Sequence, residues 1–263
     1  MWNDAVDLRD FYASPLGQMA RHLLRRRLRQ IWPDVTGQSV LGLGYATPYL
    51  RQFKPEAERV LALMPAGQGI LHWPPGERGL AALVDETDLP IPDRSIDRVL
   101  LVHGLECAEH LRDLLREVWR VMADDGRLLA VVPNRRGIWA RSDRTPFGQG
   151  QTFSPSQLSR LMRDNMFMPT QNGEALFLPP IRTSWMLKTA PAWERIGARW
   201  FSRFAGVVMI EAGKQLYGVA SVRPPRGRRQ TAASPVRLLI LVRSRLRISA
   251  RCANTGTVRS IAA

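Results

Sequence analysis

Cysteine is scarce: the 263 residues hold two, Cys107 and Cys252, far apart and without metal-ligand spacing. That excludes a disulfide framework or a zinc site as the organising device, and it makes a reducing cytoplasm the expected setting. Long apolar runs are missing too. No stretch approaches the ~20 apolar residues that span a bilayer. The chain begins Met1-Trp2-Asn3-Asp4, with an acid where a secretion signal carries positive charge. Lysine occurs only at Lys54, Lys188 and Lys214, so arginine supplies nearly all the positive charge. Residues 223–263 contain ten arginines and no acid.

Those last residues carry most of the formal net charge of +15; without them the balance is +5, ordinary for a soluble enzyme. The segment opens with an Arg/Pro/Gly run and holds an apolar stretch, 238–242, too short for a membrane anchor. Its composition predicts a flexible basic tail. Nucleic acid contact through it is the lesser reading.

The rest of the chain divides into an N-terminal helical segment, 1–36, and a domain, 37–222. Leu16, Met19, Leu23, Leu24, Leu28, Ile31 and Trp32 recur by threes and fours, one apolar stripe on a helix that Pro33 ends. Arg21, Arg25, Arg26, Arg27 and Arg29 fill much of its other face, read here as solvated, with RNA or lipid contact as the alternative. Beyond it, short apolar runs at 39–43, 59–63, 80–84, 97–102 and 127–132 alternate with helical patterns. Nearly continuous apolar strands alternating with helices predict a doubly wound α/β fold, its parallel sheet covered on both faces. Asp124-Asp125-Gly126 is expected to turn the chain into the fifth strand. Segments near 174–178 and 206–211 are expected to close the sheet as an antiparallel pair, flanking a helical stretch that contains Trp185, Trp193, Trp200 and Phe201. Ser154-Pro155 reads as a helix N-cap followed by proline at the first helical position.

From residue 37 to about 169 the chain resembles the type 11 branch of class I S-adenosylmethionine-dependent methyltransferases, a Rossmann-like family. Residues 85–97, Asp-Glu-Thr-Asp-Leu-Pro-Ile-Pro-Asp-Arg-Ser-Ile-Asp, are similar to its acid-x-x-x-Leu-Pro-Phe-x-Asp-x-Ser-Phe-Asp segment. Leu105-Glu106 matches its Leu-Glu-His signature, with Cys107 in place of His. Glu117, Arg120, Val121 and Met122, then Gly126 and Leu128, match Glu-x-x-Arg-Val-Leu-x-x-Gly-Gly-x-Leu. The resemblance implies binding of S-adenosylmethionine and methyl transfer to a small-molecule or lipid-like acceptor. It places the cofactor against Gly42, Gly44, Tyr45, Ala46, Met64, Asp85, Glu86 and His103. Asp85 and Glu86 stand where the family recognises adenine, and His103 faces the same sheet edge. Tyr12 is a candidate to close over the pocket. No catalytic base and no metal ligand is assigned.

Two departures qualify that implication. The family's first loop reads Asp/Glu-x-Gly-x-Gly-x-Gly, whereas here Gly42 replaces the acid, Ala46 and Pro48 replace two glycines, and only Gly44 remains. The family's ribose-binding acid after the second strand is Met64, which cannot accept hydrogen bonds usefully. The alternative is therefore a non-catalytic binding or scaffold protein with weakened cofactor binding.

Overall fold

The computed structural model describes residues 4–180 and 204–215, together with 193, 194, 197 and 199. The basic tail, Trp185, Trp200 and Phe201 lie outside the described residues.

Two helices open the chain. α1 (Ala5–Ala13) starts at Asp4, whose carboxylate accepts from the Val6 amide. α2 (Pro15–Ile31) starts at Ser14, whose hydroxyl accepts from the Gly17 amide. Ser14 thus closes one helix and opens the next, and Pro15 at the first position of α2 needs no amide partner. A side chain at Gly17 would collide with the Phe11 carbonyl, so the corner needs glycine. α2 buries the stripe read from the sequence: Leu16, Leu23, Leu24, Leu28 and Ile31. Each such side chain contributes about 1.5–3 kcal/mol when removed from water. Trp32 ends the helix buried, and its indole nitrogen donates to Glu211 at 3.0 Å.

The sheet has seven strands: β1 (Ser39–Gly44), β2 (Arg59–Pro65), β3 (Ala81–Val84), β4 (Ile96–Val102), β5 (Met122–Pro133), β6 (Phe167–Ala175) and β7 (Val207–Lys214). Their order is β3-β2-β1-β4-β5-β7-β6. The first five are parallel; β7 runs antiparallel to both β5 and β6. Alternate residues of each strand go to opposite layers. Val40, Leu100, Leu129 and Val131 join α1 and α2 on one face. Leu41, Val99, Leu101 and Leu128 join α4 (Leu111–Val121) and α5 (Pro155–Asp164) on the other. Both faces are covered, so the strands read as continuous apolar runs.

Two expectations need correction. The first strand of the antiparallel pair is 167–175, not 174–178. It is the sheet edge, where Pro169 needs no ladder amide and Thr170, Gln171 and Asn172 face outward. An edge strand of this kind has no apolar run to read. Asp124-Asp125-Gly126 does not turn the chain into a new strand but lies within β5. Ile96 pairs with Met122 and Arg98 with Arg127, so the acids occupy a bulge.

The segment 85–97 is held by α4. Arg120 donates to the carbonyls of Leu89 (2.8 Å) and Ile91 (2.9 Å) and to Asp93 (2.6 Å), while Glu117 accepts from Arg120 and from the Leu89 amide (2.9 Å). Ser95 donates to the Pro92 carbonyl, and Asp97 accepts from the Ser39 amide beside β1. Much of the long matched motif is therefore a clamp that fixes the strap between β3 and β4.

Candidate functional site

In an open α/β sheet, ligands bind beyond the carboxyl ends of the strands where the strand order reverses. Here the order reverses between β1 and β4. A cavity of about 420 Å3 opens at that edge, lined by Pro65–Gln68 after β2, Asp85–Thr87 after β3, and His103, Gly104, Cys107, Glu109 and His110 after β4. Its volume falls within the ~300–1,000 Å3 typical of small-molecule sites. Among the described residues the lining holds three carboxylates and no Lys or Arg.

Three of the eight expected cofactor residues, Asp85, Glu86 and His103, line this cavity. One oxygen of Asp85 accepts from the amide and hydroxyl of Thr87, which holds its carboxyl below the usual range. One oxygen of Glu86 accepts from the His110 amide, at the start of α4. Both carboxylates therefore also shape the loops that carry them.

Gly44 is one step behind the wall. Its φ is +80°, and a Cβ there would lie 2.5 Å from the Val102 carbonyl and 2.8 Å from the Gly104 amide. Only glycine allows β1 to end so close to the β4 loop. Gly42 is packed against Leu50 and Ala46. Tyr45 and Ala46 are buried before the single helical turn α3 (Thr47–Leu50), and Pro48 is accommodated in its first turn. Met64 is fully buried within the apolar cluster on the α1–α2 side and does not line the cavity. An acid at that position would be enclosed by hydrocarbon.

What covers Gly44–Ala46 is Tyr12, delivered by α1. Its ring stacks on Tyr45 with centroids 5.9 Å apart and planes 13° from parallel. Tyr49 Oη donates to Tyr12 Oη (2.8 Å), Tyr12 Oη bonds His103 Nε2 (2.7 Å), and His103 Nδ1 lies 3.2 Å from Glu106 Oε1. With Tyr49 donating to Tyr12, Tyr12 gives its own proton to Nε2, and His103 carries its proton on Nδ1 toward the carboxylate. All four side chains are buried. Burial drives the Tyr12 phenol well above its ordinary pKa, with Tyr49 adding to the effect, and pushes Tyr45 up to about 12. Cys107, beside Glu106, is also pushed up to about 12, by burial and then by the nearby Glu106 and Glu86, so its thiol is a poor nucleophile at neutral pH.

Two polar groups at the site, Gln68 and Glu106, were not among the expected cofactor residues. Gln68 follows β2 in a glycine-containing turn, its amide donating to the His103 carbonyl (2.8 Å) while Oε1 is buried without a partner among the described residues. Glu106 belongs to the matched Leu-Glu pair, but its contact with His103 depends on the positive φ of His103, +52°. Glu106 Oε2 is likewise buried without a partner among the described residues.

Comparison with known proteins agrees with this fold. Residues 41–130 match the family model described as a methyltransferase domain. No curated protein sequence matches significantly. Solved structures of similar fold include a SAM-dependent methyltransferase of Thermotoga maritima, described as a possible histamine N-methyltransferase (TM-score 0.53, 15% identity, covering 79% of this chain and 94% of that one). Another is a SAM-dependent methyltransferase of Archaeoglobus fulgidus (TM-score 0.52, 17% identity, 74% and 94% covered). The [4+2]-cyclase SpnF is similar as well (TM-score 0.52, 20% identity, 74% and 80% covered). The chain therefore has the fold of class I S-adenosylmethionine-dependent methyltransferases, and its residues 41–130 match the model of a methyltransferase domain.

Proposed function

We propose that the chain binds S-adenosylmethionine in the cavity at the ends of β2, β3 and β4 and transfers its methyl group to a small-molecule or lipid-like acceptor. The observation that carries this reading is the cavity's place at the reversal of strand order, with Gly44 pressed against its wall. The residues present fit such a ligand. Asp85 and Glu86 offer carboxylates on the β3 side for the adenine amino group. Gln68 brings a buried acceptor without a protein partner close to where the ribose acid is missing. A lining with three carboxylates and, among the described residues, no Lys or Arg suits a cationic sulfonium compound. When bound, the cofactor supplies an activated methyl group, so the protein's main task is alignment. His103, oriented through Nδ1 by Glu106, keeps Nε2 as a proton acceptor once Tyr12 withdraws. The reading keeps the cytoplasmic setting expected from the scarcity of cysteine.

A second reading, a binding or scaffold protein without turnover, is favoured by one specific observation: Tyr12, Tyr45 and Tyr49 seal the first loop. The fold itself does not decide, since one fold hosts many functions. Calorimetric titration with S-adenosylmethionine and S-adenosylhomocysteine separates the two. The first reading expects saturable binding that Glu86→Gln or Asp85→Ala weakens by about 1.5–3 kcal/mol, the scale of a hydrogen bond to a charged group. Wild-type protein that binds neither compound, with Tyr12→Ala gaining affinity, would establish the sealed, non-catalytic form.

A further inference from the structure

The outward side of α2 carries a basic groove that the cleft does not use. Arg21, Arg25 and Arg29 follow at four-residue spacing, so they share one line of the helix. The line spans about 12 Å at 1.5 Å per residue. His22 and Arg26 form a second line beside it. With Gln18, Gln30 and Gln52, they bound an open groove of about 820 Å3 between α2 and the turn after α3.

Most of the charge in this groove is uncompensated among the described residues. Arg29 pairs with Glu56, but among the described residues no carboxylate lies within ion-pair distance of Arg21, Arg25, Arg26 or the nearby Arg51. Burial lowers the pKa of Arg25, and repulsion from Arg21 and Arg51 lowers it further, against a small opposing effect of Tyr49. Gln52 Nε2 is a buried amide donor without an acceptor among the described residues. A cluster of one sign, with Arg21, Arg25 and Arg29 half-buried and Arg25 repelled by Arg21, is relieved by an anion.

The shape and lining narrow the choice of anion. A planar bilayer cannot follow a concave groove, and no aliphatic or aromatic side chain is present in the lining to insert among lipids. Nothing in the lining stacks on bases either. Planar guanidinium groups spread along ~12 Å match successive phosphates of one strand. We infer that this groove binds the phosphate backbone of single-stranded nucleic acid through Arg21, Arg25, Arg26 and Arg29, without reading its sequence. The site is separate from the cleft and does not depend on the methyltransferase reading.

The test is fluorescence anisotropy of the full chain with a labelled 20-nucleotide oligouridylate between 50 and 200 mM salt. Wild type is expected to bind, with affinity falling linearly on a log–log salt plot. Replacing Arg21, Arg25 and Arg26 with serine removes three contacts. The slope should shrink by about 2, at ~0.7 per contact on a single strand, and the affinity at 50 mM salt should drop roughly tenfold or more. The same three positions changed to lysine should retain the slope, and the exposed Arg26→Glu alone should weaken binding if the triple variant does not fold. Absence of wild-type binding at 50 mM salt overturns the inference. So does an unchanged slope in the serine or Arg26→Glu variant, which would assign binding to arginines elsewhere, those of 223–263 included. Cosedimentation with phosphatidylserine vesicles that responds to these variants while oligouridylate binding does not would also overturn it, by identifying a lipid surface.

Discussion

Tyr12 Oη has a hydrogen-bond partner on either side, Tyr49 Oη and His103 Nε2, and its ring rests on Tyr45. Removing only that hydroxyl strands two buried polar groups at once: His103 Nε2 loses its donor, and the Tyr49 hydroxyl loses its acceptor. Each unsatisfied group costs about 1–3 kcal/mol, whereas loss of the phenol's apolar ring is avoided in Tyr12→Phe. Denaturant unfolding of that variant should therefore show a loss of at least ~1 kcal/mol without a change in slope. A neutral result would mean that water replaces the hydroxyl and that the network is open to solvent. His103 and Tyr12 were both legible as candidates, the first from its place after a strand and the second from its place ahead of the domain. Their contact was not, because it joins residues 91 positions apart through a helix, α1, that lacks a strong apolar stripe. Gln68 was illegible for a different reason. A turn rich in glycine and proline has no periodicity, so nothing in the residue types marks the one polar side chain folded inward.

At the scale of elements, the long motif 85–97 gave a family resemblance whose physical content is mostly structural. Arg120 binds two carbonyls, Asp93 and Glu117 with one guanidinium group, a forked geometry that an ammonium group cannot reproduce. The pairing raises the pKa of Arg120, first through Glu117 and then through Asp93, so its guanidinium stays charged. Arg120→Lys keeps the charge and loses the fork. Because the side chain is about one-third exposed, the loss belongs near the lower end of the range for charged hydrogen bonds, ~1.5 kcal/mol. The strap between β3 and β4 should loosen, read as faster amide exchange at Leu89 and Ile91 with β1 and β2 unchanged. Equal exchange in variant and wild type would show that the strap is held by its prolines instead. The strands themselves were readable wherever both faces are buried, as in β1, β4 and β5. Reading failed at β6, whose proline and polar residues suit an edge, and at the bulge in β5, where acids interrupt pairing without ending the strand.

For the molecule as a whole, the alternation of apolar strands with helices determined the layers, since a parallel sheet needs cover on both faces. Whether the cleft is open to a cofactor depends instead on how α1 docks over β1, a long-range packing choice that local patterns do not encode. That choice can be measured globally. A ligand that binds only the folded state stabilises it by RT ln(1 + [L]/Kd), about 2.7 kcal/mol at a hundredfold excess over Kd. For a domain of this size each kcal/mol raises the melting temperature by about 2–4 °C, so saturating S-adenosylmethionine should raise it by roughly 5–10 °C. If α1 must withdraw for the ligand to reach Gly44, breaking the Tyr12 contacts opposes binding. Tyr12→Phe should then lower the starting melting temperature yet show a larger rise at the same ligand concentration. If the cofactor instead occupies only the open cavity around Asp85 and Gln68, the rise should match wild type in Tyr12→Phe and shrink in Gln68→Ala. Residues 223–263 do not enter either argument, and a chain lacking them should give the same rise. A chain that shows no rise with S-adenosylmethionine or its demethylated product has no functioning cofactor site, whatever its fold.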